Sequence, residues 1–189
     1  RLCDEFVALA ETPIQVQFDP ETLRTVGVMT YEQPTFGSMT TVHPHVEGDS
    51  AYNLVTRYHA VSHYRFYRLH GRRPPVRLAS VPTLEPSYLH SFGASPRYFV
   101  LADFPLKVNP ISLLLWLRPY IENFQWKPQL GTPFLVIDRQ TGQVAARFEC
   151  DAFFAFHHVN AFETADELVV DVVGYPNAGK SSLLAALSR

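Results

Sequence analysis

The sequence predicts an all-β fold, on three observations. Short apolar or alternating runs recur along the chain, turn signals separate them, and two stretches repeat one strand–turn–strand pattern. Only two segments carry a helical pattern. Repeated hairpins fit propeller blades or a β-sandwich, and the recurrence of the repeat puts the propeller ahead.

The strand candidates, in order, are "FVALA", "PIQVQFD", "AYNLVTRY", "HYRFYRL", "RYFVLAD", "PFLVID", "VAARFE" and "ELVVDVV". The internal repeat is "VQFDPETLRTVG" against "LVIDRQTGQVAARF": strand, Asp, two residues, Thr, then strand. An Asp opening a turn bonds its own downstream backbone, and Gly142 permits a positive φ, so both read as hairpins. "YHAVSHYRFYRLHG" is a looser third case. Helix is expected in "NPISLLLWLRPY", where Asn109 caps a Pro start and Pro119 stops the run, and in the C-terminal "GKSSLLAALSR". The prolines fall mostly between strands, as turn and edge residues do.

A chain of 189 residues can bury the core of one domain. With a net charge of -2 and 18% charged residues, it carries no electrostatic footprint for nucleic acid. Fourteen Phe and nine Tyr argue for a packed core rather than disorder. Cys3 and Cys150 lie too far apart in sequence for a CxxC metal site and suggest no disulfide framework, which favours a reducing compartment. No secretory signal is visible, and no apolar run approaches the roughly 18 residues that span a bilayer. The expected location is cytoplasmic. The chain opens on Arg1 in strand-like sequence and reads as a fragment.

Histidines are the chemical signal. His59, His63 and His70 lie in a basic, Tyr-rich hairpin and read as surface or pairing residues. The other five sit in "TVHPHVEGD", "PSYLHSFG" and "FFAFHHVNAFE", each beside a turn or loop. A lone His among apolar neighbours is more often a satisfied core residue than a ligand. Three such contexts shift that balance, because neutral imidazoles converging from separate strands suit a first-row metal. Neighbours on a strand point to opposite faces, so at most one of His157 and His158 can look at a given site.

At these residues the chain resembles the carotenoid cleavage oxygenase family. The matching stretches are "ETPIQVQFDPETLRTVG", "TTVHPHVEGDSAYNL", "PSYLHSFGASPRYFVLADFPLKVNP" and "FFAFHHVNAFETADELVVDVV", in family order, over roughly residues 4 to 178. The resemblance implies a seven-bladed β-propeller; with the two helical segments read above, the chain is expected to form about half of the ring, with a short helical insertion and a C-terminal helix. It divides the chain into 1–178, the partial propeller, and 179–189, a helical tail. It implies a non-haem Fe(II) centre that cleaves a conjugated double bond of a carotenoid or apocarotenoid with O2, giving carbonyl products. Carried over by position, His43, His90 and His157 would ligate Fe(II), and Glu11 would accept the far N–H of a ligand imidazole. His45 would have a supporting role, and His158 would face away and be structural. Phe92 and the aromatics around His157 would line a polyene tunnel, though core packing accounts for them equally well. The run Ile111–Leu117, flanked by Lys107 and Arg118, would touch a membrane peripherally, or else pack as a buried helix. The family's fourth histidine and closing strands are not in this sequence, so the chain alone is expected to bind iron weakly or not at all and to show little or no activity.

One feature departs from that pattern. Gly174 to Ser181 satisfies G-x-x-x-x-G-K-[ST] and is similar to the first motif of Obg-type GTPases. Gly174, Gly179, Lys180 and Ser181 would then cradle phosphates and Mg2+, given a strand before the loop and a helix after it. Such a match arises by chance in roughly one chain of this length in a hundred. A fusion carrying the start of a GTPase and a structural propeller piece without chemistry remain the alternative readings.

Overall fold

Asp19 and Asp138 open the same turn twice. Oδ1 of Asp19 accepts from the backbone N–H of Glu21 (2.9 Å) and Thr22 (2.7 Å), and Oδ1 of Asp138 accepts from Gln140 (2.9 Å) and Thr141 (2.7 Å). Both aspartates also donate their own N–H across the turn, to the carbonyls of Arg24 and Gln143 at 2.9 Å each. Leu23, at φ 57°, occupies the left-handed place that Gly142 fills at φ 71°. The internal repeat is therefore a repeat of conformation.

These turns belong to a chain of antiparallel sheets in a computed structural model that describes residues 2, 5–29, 38–115, 118–174 and 183–186. The first sheet is β1 (Val7–Ala8), β2 (Gln15–Phe18) and β3 (Thr25–Met29), paired in that order. The second holds β4 (Ser38–Thr40), β5 (His45–Glu47), β6 (Ser50–Arg57), β7 (Ser62–Leu69) and β8 (Val76–Thr83); its order is β4-β6-β7-β8, with β5 also on β6. Next come β9 (Gly93–Ala94), β10 (Tyr98–Ala102), β11 (Leu106–Val108), a five-residue helix α1 (Pro110–Leu114) and β12 (Phe124–Trp126). Strands β13 (Thr132–Asp138) and β14 (Val144–Cys150) complete the third sheet in the order β14-β13-β10-β9, while β11 and β12 pair separately. The last sheet is β15 (His157–Glu163), β16 (Glu167–Val173) and β17 (Leu183–Ala186). None of these sheets closes on itself, and helix is scarce.

All eight strand candidates coincide with strands. β8 is not among these candidates; it is the edge of its sheet, the place where a strand tolerates a proline such as Pro82, which stands opposite His63. The Asn109 cap is present, its side chain accepting from the N–H of Ile111 at 3.0 Å, but α1 ends at Leu114 after little more than one turn. Trp116 and Leu117 lie outside the described residues.

The C-terminal helix is corrected. Leu183–Ala186 form a strand along β16, with Leu183 opposite Val170 and Ala186 opposite Glu167. The open N–H and C=O groups of β16 reward an extended partner, and that non-local ladder overrides the helical propensity of Leu and Ala. Among the described residues no helix follows Gly174, as a phosphate-binding loop would require, and Gly179, Lys180 and Ser181 lie outside the described residues. Gly174 has another reason to be glycine: a Cβ on it would stand 2.8 Å from the carbonyl oxygen of Phe154.

One main core lies where the second, third and fourth sheets meet. Phe66 and Phe99 stack with ring centroids 4.7 Å apart and planes 4° from parallel, and Phe92 closes on both edge-on. Strands β10 and β13 are buried along nearly their whole length, which is why they read as unbroken apolar runs. Asp103 anchors one flank of this core. Its Oδ1 accepts from the hydroxyls of Tyr64 and Ser87 (2.6 Å each) and pairs with Nζ of buried Lys107 at 2.7 Å.

Candidate metal centre

Four short stretches between or at the starts of strands converge on one point. Glu11 lies between β1 and β2, and its carbonyl accepts from the N–H of Thr40, which ties it to the end of β4. His43 sits just past β4. The segment Pro86–Tyr88 runs beside β11, with Tyr88 N–H to the carbonyl of Leu106 at 2.9 Å, and delivers His90. His157 is the first residue of β15.

Imidazoles of His43, His90 and His157 meet there. Their ring centroids stand 4.9 Å (43–90), 4.8 Å (43–157) and 5.1 Å (90–157) apart, and one ring nitrogen from each lies within 4.8 Å of the others. Among the described residues this is the only group of three or more His, Cys, Asp or Glu side chains placed to hold an ion. Nε2 of His43 and Nε2 of His90 are 3.1 Å apart. Two nitrogens about 2.1 Å from one ion and at right angles lie about 3.0 Å apart, so the pair has the spacing of adjacent metal ligands. The donor set is all neutral imidazole, suited to a first-row divalent metal.

Glu11 is where the far nitrogen of His90 needs a partner. Nδ1 of His90 lies 2.7 Å from Oε1 of Glu11, and a carboxylate accepts, so Nδ1 carries a proton and Nε2 is the nitrogen turned toward His43. The hydroxyl of Tyr88 donates to the same Oε1 at 2.6 Å. Burial, and then the neighbouring rings of His90, His157 and His45, hold the imidazole of His43 below its ordinary pKa, in the neutral form that can ligate.

The remaining histidines separate cleanly. Nε2 of His45 bonds the carbonyl of Phe92 at 2.8 Å, and its ring packs edge-on to the Phe92 ring, a supporting role. His158 points away from the site and is buried, with a pKa pushed down to about 3 by burial and by the nearby rings of His45 and His157. His59, His63 and His70 join no metal-binding group among the described residues. Phe92 is fully buried between Phe66 and Phe99, so core packing rather than a tunnel wall accounts for it. Phe156 instead presents its ring at 90° to His90, 5.5 Å away.

Two supporting residues escaped the sequence reading. Tyr88 lies two positions before His90, the spacing that puts side chains on one side of extended chain, so a signal for it existed. Ser91 follows His90 directly and bonds the chain around His157; nothing local announced that.

The profile of the RPE65 family (retinal pigment epithelial membrane protein) matches residues 1–188. A β,β-carotene 15,15'-dioxygenase from Gallus gallus is 29% identical over 198 residues, covering 91% of this chain and 37% of that protein. A mitochondrial carotenoid-cleaving dioxygenase from Mustela putorius furo is 30% identical over 186 residues, covering 89% of this chain and 34% of its own length. The chain thus spans little more than a third of the curated relatives it matches. Among solved structures, cobalt-substituted Synechocystis ACO aligns with a TM-score of 0.78 at 20% identity, over 97% of this chain and 40% of that one. An ACO/RPE65 chimera aligns with a TM-score of 0.76 at 21% identity, over 92% and 38%. These two likenesses concern the fold. The match over nearly the whole sequence settles the family: the chain belongs to the RPE65 family of carotenoid oxygenases.

Proposed function

We propose that His43, His90 and His157 ligate a non-haem Fe(II) ion, and that the protein uses it with O2 to cleave a conjugated double bond of a carotenoid or apocarotenoid into two carbonyl products. The observation that carries this reading is the meeting of three imidazoles from distant stretches, with Glu11 on the remote nitrogen of one of them. The bound metal would supply the redox chemistry by which O2 reacts with a polyene. The residues around it would keep the ligands neutral and oriented, and Phe156 beside His90 would offer an apolar wall to the substrate. Residues 1–178 would form part of a seven-bladed propeller, about half of the ring. The exposed side chains of Ile111 (58%) and Leu115 (61%) would offer an apolar contact to a membrane surface; no described helix is long and apolar enough to cross a membrane.

Three imidazoles leave much of an iron coordination sphere open, so the chain by itself should hold Fe(II) weakly and turn over little or no carotenoid. The direct test is anaerobic titration with Fe(II). One weak site is expected, lost in His43→Ala, His90→Ala and His157→Ala and kept in His45→Ala. Equal binding by all four variants would refute the assignment.

A further inference from the structure

Each of two candidate ligands is followed by a residue that turns away from the site, and those two residues bond one another. Ser91 follows His90 and His158 follows His157. Oγ of Ser91 lies 2.7 Å from the carbonyl oxygen of Phe156, 2.8 Å from the backbone nitrogen of His158 and 2.9 Å from Nδ1 of the His158 ring. A serine hydroxyl has a single proton. The Phe156 carbonyl can only accept, so that proton goes there. The oxygen must therefore accept from both nitrogens of His158, which places a proton on Nδ1 and leaves Nε2 bare. Nε2 of His158 is indeed buried with no hydrogen-bond partner. Both N–H groups of His158, ring and backbone, are thus spent on Ser91.

This arrangement seizes the backbone on both sides of His157, at the Phe156 carbonyl and the His158 N–H, and anchors it one residue from His90. The contact is buried, with Ser91 2% and His158 8% exposed, so its bonds face no competition from water. We propose that Ser91 and His158 form a clasp behind the metal centre that sets the separation of the His90 and His157 imidazoles before any ion arrives. They are positioning residues, and neither touches the metal. The inference rests on the assignment of His90 and His157 as ligands. It also accounts for the paired histidines of "FHH": one ring serves the ion while its neighbour holds the strand in register.

The test uses Co(II) as the probe, titrated into the full chain and followed by its visible ligand-field bands. Ser91→Ala and His158→Leu should weaken Co(II) binding by about tenfold or more and alter the bands, whereas His158→Asn, whose amide can donate from the place of Nδ1, should stay close to the parent chain. A second measurement needs no metal and no variant: nitrogen–proton correlation spectra of the apo chain should show the His158 ring protonated on Nδ1. Parent-like Co(II) binding by Ser91→Ala or His158→Leu would overturn the clasp, as would a His158→Asn loss as deep as that of His158→Leu, or a ring protonated on Nε2. Failure of the parent chain to bind Co(II), or binding untouched by His43→Ala, would instead bring down the metal centre and the clasp's role with it.

Discussion

Nδ1 of His90 and Oε1 of Glu11 stand 2.7 Å apart across 79 residues of sequence. The bond places a proton on Nδ1 of His90 and brings a carboxylate from the loop before β2 up against the three-histidine cluster. Because Tyr88 donates to the same oxygen at 2.6 Å, the carboxylate is held from two directions. Glu11→Ala should weaken Co(II) binding by about 10–100-fold, and Glu11→Gln, which keeps an acceptor, should fall between it and the parent. Competition against a chelator of known affinity measures both.

Asp103 and Lys107 form a largely buried pair, their side chains 17% and 7% exposed. Removing one charge strands the other. Asp103→Asn should cost about 3–5 kcal/mol in urea unfolding, while replacing both residues with apolar ones should cost much less. Equal losses in the two variants would contradict the pairing.

The repeated turn yields a matched pair of substitutions. A Cβ at Gly142 would stand 2.2 Å from the Leu78 carbonyl oxygen at φ 71°, so Gly142→Ala should destabilise by at least about 1–3 kcal/mol. Leu23 carries the same conformation at 75% exposure, so Leu23→Gly should stabilise by up to about 1 kcal/mol. Thermal unfolding of the two variants should move in opposite directions.

The tyrosines set the alkaline limit. Tyr58 and Tyr120 share a hydrogen bond of 2.7 Å, and burial above all raises both well over the ordinary 10.0; burial, then the charge of Asp103, does the same for Tyr64. A group whose folded pKa lies above its unfolded value stabilises the fold below the unfolded pKa, and the contribution fades as pH rises past it. Stability should therefore hold up to about pH 10 and fall above it. Tyrosinate absorbance from these three residues should emerge only as the chain unfolds.

Much of this architecture was legible because its causes are local. The Asx turns at Asp19 and Asp138 are written within four residues of each aspartate, and alternating or continuous apolar runs mark β6, β7, β10 and β13. Where a decision depended on a distant partner, local reading failed. "SLLAALS" has the spacing of a helix, yet the open edge of β16 draws Leu183–Ala186 into a strand. The short β11 and β12 are strands because they pair with each other, and β11 also with the segment around Ser87; neither carries a period of its own.

The site divides in the same way. Sequence alone determined which five imidazoles to suspect, since His43, His45, His90, His157 and His158 sit beside turns or loops in three stretches, and the family resemblance narrowed them to His43, His90 and His157 and added Glu11. Tertiary structure decided that the three rings share one point, that Glu11 serves His90, that Phe92 belongs to the core, and that Ser91 reaches the backbone around His157. The reason is range. A turn or a strand face is chosen by neighbours a few residues apart, whereas a bond spanning 67 or 79 positions exists only after the sheets between them have packed.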